Sequence, residues 1–203
     1  MFRAGESCVK IFLESSSLFE VRKSVEYGLI DGVLLASEKR EEPCVARDSD
    51  IKSIVQSVRG PVFVSVCGST ADEILVNSQQ VLSMGPNTVL EIQVSLEGLK
   101  ACNYLKNKDC SVNVCGITKT SQAVLAAISR AHFVSFNMSK LPASEKISCE
   151  CLQESMNLLQ KYNLKSEVIA YNFDEIAVPE RAIEVGVDAV TLPYGKLIGL
   201  IET

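Results

Sequence analysis

The sequence predicts an α/β protein whose strands close into a (β/α)8 barrel, and three observations carry that expectation. Short apolar runs alternate with helix-like segments along almost the whole chain, the pattern of βαβ units and a parallel sheet. The alternation repeats about eight times at a spacing of roughly 25 residues, which suits a closed barrel at the compact end of its size range. No apolar run leads into a G-x-G-x-x-G turn, so an open doubly wound sheet is the second choice. No linker, repeat or low-complexity stretch divides the 203 residues, and residues 1–203 read as one domain.

In order, VKIFLE (9–14) is the first strand, followed by a helix with Leu18, Val21 and Val25 on one face and Gly28 as its stop. LIDGVLLA (29–36) is the second strand; after a polar stretch, a helix forms around DIKSIVQSV. PVFVSVC (61–67) precedes a helix with Ser69 or Thr70 as N-cap and Gly85 as stop. TVLEIQV (88–94) precedes LEGLKACNYLKNK, and SVNVCGI (111–117) precedes TSQAVLAAISRA. HFVSF (132–136) is followed by a loop and the helix SCECLQESMNLLQKYN. SEVIAY (166–171) leads into PERAIEVG, and VDAVTLP (187–193) into a tail, KLIGLIET. Catalytic groups of such barrels sit at the carboxy ends of the strands, where Glu14, Glu91 and Lys119 fall.

The composition is that of a globular protein, with 47% hydrophobic and 22% charged residues and a mean hydropathy of +0.18. No run approaches the roughly 18 apolar residues of a membrane span. MFRAGESC lacks the apolar core of a secretory signal. A net charge of −5 offers no basic footprint for nucleic acid. The eight cysteines include no recurring CxxC pair, and Cys149 and Cys151 are spaced poorly for a metal. Buried thiols in a reducing cytoplasm are the expectation, with no metal and no cofactor. The single His132 opens an apolar run and has no fixed partner in the sequence, so a structural role is expected.

IFLESSSL, YGLIDGV, PVFVSVCGSTADEI, the EGLKA of residues 97–101, SQAVLAA and VDAVTLP together resemble, in order and spacing, the small transaldolases and fructose-6-phosphate aldolases. The resemblance runs from about residue 9 to residue 193. It implies a class I aldolase ancestry in sugar-phosphate metabolism, with a lysine on the fourth strand that forms a Schiff base with a ketose. Counted back from Gly98, that lysine position holds Glu91 and the following proline position holds Gln93. A carboxylate cannot form an imine.

The resemblance also implies other changes. Glu14 stands for an aspartate; Leu34, Leu35, Ala36 and Ser37 stand for a TTNP motif. Ser65 replaces a glutamine and Cys115 a threonine, whereas Asn113 is retained. Asn137 and Lys140 replace an aromatic and an arginine. In the seventh-strand phosphate loop Asn172 replaces a serine and Asp174 a basic residue, with Glu175 beside it. Negative charge there opposes phosphate binding.

Three readings of Glu91 remain open: a structural carboxylate held by Lys119 or Lys140, an acid/base pair with Glu14, or a bystander to a relocated amine on Lys119 or Lys140. Cys115 is either a nucleophile or a small core residue. The leading expectation is a barrel of this ancestry without Schiff-base activity. The alternatives are an active aldolase using the relocated lysine and a carboxylate-dependent enzyme using Glu14 and Glu91. Ser65, Asn113, Asn137, Lys140 and Asn172 are the expected contacts for a small sugar or sugar phosphate. The family's rings exchange a carboxy-terminal helix; the chain stops soon after its last strand, so a monomer or a smaller homo-oligomer is expected.

Overall fold

A computed structural model describes residues 8–35, 48–108, 110–141, 145–173 and 177–200. Eight parallel strands close into a barrel in chain order: β1 (Lys10–Glu14), β2 (Gly32–Leu34), β3 (Val62–Ser65), β4 (Thr88–Gln93), β5 (Val112–Ile117), β6 (Phe133–Asn137), β7 (Glu167–Tyr171) and β8 (Ala189–Pro193). β8 pairs back onto β1, with Phe12 opposite Thr191. A helix follows each strand: α1 (Leu18–Glu26), α2 (Asp48–Ser57), α3 (Ala71–Leu82), α4 (Leu96–Lys106), α5 (Thr120–Ile128), α6 (Glu145–Lys161), α7 (Ala177–Val185) and α8 (Tyr194–Gly199). This is the (β/α)8 barrel the alternation predicts.

Differences lie at the edges. β2 is three residues long within the apolar run 29–36, because the run's first residues form the turn out of α1. Thr70, not Ser69, caps α3, its hydroxyl accepting from the Glu73 amide. α3 ends at Leu82 and Gly28 lies two residues past α1, so both glycines sit in the turns after the helices. The tail begins with the short helix α8.

Period-two alternation divides the side chains between two cores. Leu13, Val33, Val64, Leu90, Val114 and Val134 pack outward under the helices in the larger core. Phe12, Leu34, Phe63, Val89, Ile169 and Ala189 form a separate cluster inside the barrel. Phe63 touches both Phe12 and Phe133, with ring centroids 5.1 Å apart in each pair. These aromatics plug the amino-terminal half of the barrel. Two residues further along the same strands, in the same inward phase, stand Glu14, Ser65, Glu91, Ser135, Tyr171 and Thr191. The interior therefore changes from apolar to polar between one inward layer and the next.

Two glycines set the local geometry of the mouth. A Cβ on Gly98, in the first turn of α4, would lie 2.4 Å from the Gln93 carbonyl oxygen, so the helix can dock on β4 only without a side chain there. Gly116 has φ +77° at a register shift between β5 and β6, the left-handed conformation that a bulge favours in glycine. Its amide donates to the Tyr171 hydroxyl at 3.1 Å, linking β5 to β7.

Candidate functional site

The polar layer is built around β4. Glu91 is only 8% exposed, and its neighbours in register are Ser65 on β3 and Asn113 on β5. The Ser65 hydroxyl donates to Glu91 Oε1 at 3.3 Å and the Asn113 amide donates to Oε2 at 3.4 Å. The chain continues to β6, where the Ser135 hydroxyl donates to Asn113 Oδ1 at 2.7 Å. Four consecutive strands thus present Ser65, Glu91, Asn113 and Ser135 to one another. A buried carboxylate needs such donors, since taking it from water without them is costly.

Above this chain lies a cavity of about 360 Å³, whose walls include Ser65, Cys67, Glu91, Gln93, Ser95 and Cys115. Gln93 faces it one inward step beyond Glu91, and Cys115 donates its thiol to Gln93 Oε1 at 3.5 Å. Burial pushes the Cys67 thiol up from its ordinary value, which keeps it protonated and poorly nucleophilic. Among the described residues, the lining contains no lysine, arginine or histidine.

A second polar group closes the mouth between β6 and β7. Asn172 adopts φ +59° and donates to Asn137 Oδ1 at 2.9 Å and to the Ser139 hydroxyl at 2.6 Å, while Ser139 donates to the same Asn137 oxygen at 3.0 Å. The left-handed backbone of Asn172 is one that asparagine tolerates. Lys196 on α8 reaches back to donate to the Phe173 carbonyl at 2.5 Å.

The predicted site residues thus divide. Glu91, Ser65 and Asn113 meet in one hydrogen-bonded chain, and Cys115 joins them at the cavity. Asn137 and Asn172 meet each other. Glu14 accepts from the Thr191 hydroxyl at 3.4 Å on β1, three strands from Glu91, and does not line the cavity. Lys119 is the exposed N-cap residue of α5 and makes no ion pair or side-chain hydrogen bond among the described residues, so it does not hold Glu91. Lys140 is exposed at the end of a 3-10 turn, Met138–Lys140. Leu34 and Leu35 are buried, while Ala36, Ser37, Asp174 and Glu175 lie outside the described residues. Among the described residues no cluster of His, Cys, Asp and Glu is arranged for a metal ion. No described helix is long and apolar enough to cross a membrane.

His132 sits at the far end of the barrel. Its Nδ1 accepts from the Val112 amide at 3.3 Å and its Nε2 lies 3.2 Å from Lys106 Nζ. Burial, and then the Lys106 charge, hold the imidazole below its ordinary pKa. This is a structural arrangement remote from the mouth.

Gln93, Cys67, Ser135 and Tyr171 belong to the mouth and were not among the sequence candidates. Ser135 and Tyr171 were findable: each lies two residues beyond an inward apolar residue of its strand.

This architecture has an assigned kin. The profile of the transaldolase/fructose-6-phosphate aldolase family matches residues 23–202. The chain belongs to the transaldolase/fructose-6-phosphate aldolase family. A probable transaldolase of Thermoplasma volcanium is 29% identical over 199 residues, covering 96% of this chain and 88% of that protein. A probable transaldolase 2 of Listeria monocytogenes is 31% identical over 190 residues, covering 91% and 85%. A probable transaldolase of Desulforudis audaxviator is 29% identical over 195 residues, covering 94% and 88%. Within this transaldolase-family barrel the mouth supplies hydroxyl, amide, thiol and carboxylate groups, a set suited to holding a hydroxylated molecule and to proton transfer.

Proposed function

We propose that this transaldolase-family barrel has lost Schiff-base aldolase chemistry and uses its mouth to hold a small ligand of the sugar class. One observation supports the reading: Glu91, which the resemblance sets at the family's lysine position, is a buried side chain of β4 hydrogen-bonded to Ser65 and Asn113. An imine needs a neutral amine against the ligand carbonyl, and among the described residues no lysine lines the cavity. Lys119 is exposed and outside that lining, which weighs against a relocated amine. The name transaldolase borne by the relatives supports a ligand with a hydroxylated carbon chain. On this reading the protein is cytoplasmic and acts as a monomer or as an assembly smaller than the family's rings.

The test is reductive trapping. The protein is incubated with fructose 6-phosphate or dihydroxyacetone, reduced with borohydride and weighed intact by mass spectrometry. The unmodified mass is expected. A reduced adduct would overturn the proposal, and its location at Lys119 or Lys140 would establish the relocated-lysine enzyme instead.

A further inference from the structure

The amino-terminal end of the barrel, opposite the mouth, carries a second cavity of about 930 Å³. It lies between the turns that lead into β2, β3, β4 and β5, and its size is that of a small-molecule site. Its floor is the outer face of the aromatic plug, where Phe12, Val89 and Phe133 join the lining. Phe133 is half-buried and stands edge-on to Phe63 at 73°. Such a ring offers apolar surface on which another flat ring can pack.

The rim above this floor is held in place by backbone contacts. The Asn87 amide donates to the carbonyls of Val55, Val58 and Gly60 at 3.2, 2.9 and 2.9 Å, which fixes the turn carrying Arg59. A Cβ on Gly60 would run into the Asp31 carbonyl oxygen, so the turns that carry Arg59 and Asp31 touch. Both residues are exposed and belong to the lining. Among the described residues no ion pair joins them. Asp31 is positioned by its own backbone partner, its Oδ2 accepting from the Ile11 amide at 2.9 Å. Lys10, also in the lining, is already matched, its Nζ donating to both Glu167 carboxylate oxygens at 2.8 and 2.7 Å. Thr88 adds a hydroxyl that is buried and makes no hydrogen bond, an unused donor and acceptor in the lining.

An anion and a guanidinium on touching turns, over an aromatic floor, complement a molecule that carries both charges close together beside a ring. We infer that this cavity binds a free α-amino acid with an aromatic side chain. Its ring packs on Phe133, its carboxylate meets Arg59 and its ammonium meets Asp31. The site is separate from the mouth and does not rest on the proposed loss of Schiff-base chemistry.

The test removes one feature of the ligand at a time. Isothermal titration calorimetry of the full chain at neutral pH compares L-phenylalanine with phenylpropionate, phenethylamine and L-alanine, which lack the ammonium, the carboxylate and the ring in turn. Phenylalanine is expected to bind once per chain, and each analogue at least about fivefold more weakly. Arg59→Gln should bring phenylalanine down to the level of phenethylamine. Asp31→Asn, whose amide oxygen can still accept from Ile11, should bring it down to the level of phenylpropionate. Phe133→Leu should also weaken it, with circular dichroism confirming the fold of each variant. Arg59 is exposed, so its variant decides the matter even where Asp31→Asn unfolds. Failure of phenylalanine to bind at millimolar concentration, an analogue that binds as tightly, or wild-type affinity in Arg59→Gln would each overturn the inference.

Discussion

Replacing Asn113 by leucine tests whether the polar chain of the mouth is a single energetic unit. Asn113 is 1% exposed and stands between Glu91, to which it donates, and Ser135, from which it accepts. Asn113→Leu leaves the buried Ser135 hydroxyl without that acceptor, at about 1–3 kcal/mol, and takes one donor from the Glu91 carboxylate, at about 1.5–3 kcal/mol. The leucine returns on the order of 1 kcal/mol by its greater apolarity, for a net loss of about 3 kcal/mol. That is a large share of the roughly 5–15 kcal/mol by which domains are stable. In the background of Glu91→Met the carboxylate is gone, so Asn113→Leu should cost only the Ser135 part less the leucine's return, about 1 kcal/mol. The coupling between the two sites is then about 2 kcal/mol.

Urea unfolding measures it. Far-ultraviolet circular dichroism and tyrosine fluorescence should be followed together, because a barrel of this length obeys two-state analysis only if the two probes coincide. A midpoint for Asn113→Leu equal to that of the wild type would refute the reasoning. So would identical costs of Asn113→Leu with and without Glu91, since the chain would then not transmit charge stabilisation from β4 to β5.

Other expectations follow from individual groups. Burial pushes the Cys102 thiol up to about 12 from 9.0. The unfolded chain therefore releases this proton first, and the stability it contributes is present below about pH 9 and lost as pH rises towards about 12. Cys102→Ala should flatten the fall in thermal midpoint between those pH values; an unchanged alkaline slope would contradict the assignment. Gly116→Ala forces a side chain into φ +77° and places its Cβ 2.0 Å from Gln93 Nε2. It should cost about 1–2 kcal/mol and displace the Gln93 side chain, seen as a lower urea midpoint; unfolding like the wild type would refute the close approach. Alkylation with iodoacetamide should label the exposed Cys8 well before the buried Cys102; equal rates would show that the barrel opens readily.

The barrel was legible because buried parallel strands leave a periodic apolar signal and each βα unit repeats it. Element edges were less so. The run 29–36 is apolar throughout, yet only Gly32–Leu34 pairs as a strand, because apolarity records burial and not hydrogen bonding. Within the site, Glu91 stood out as a lone acid in an apolar strand, and Ser65 and Asn113 were found with it. Gln93 and Cys67 were not found, since their place depends on how neighbouring strands are staggered. Lys119, singled out for its position just after a strand, turned outward as the α5 N-cap.

The linear order of residues determined which strands exist, that they are parallel, and which positions share an inward phase, because alternation along a strand is a local property. It also determined that a carboxylate replaces apolar character on β4. Only the closed barrel decided which polar groups touch. Register brings Ser65, Glu91, Asn113 and Ser135 into one chain from strands far apart in sequence, and two intervening strands keep Glu14 from lining the cavity beside Glu91. Hydrogen bonds act over about 3 Å, a distance that pairing and closure set and that spacing along the chain does not.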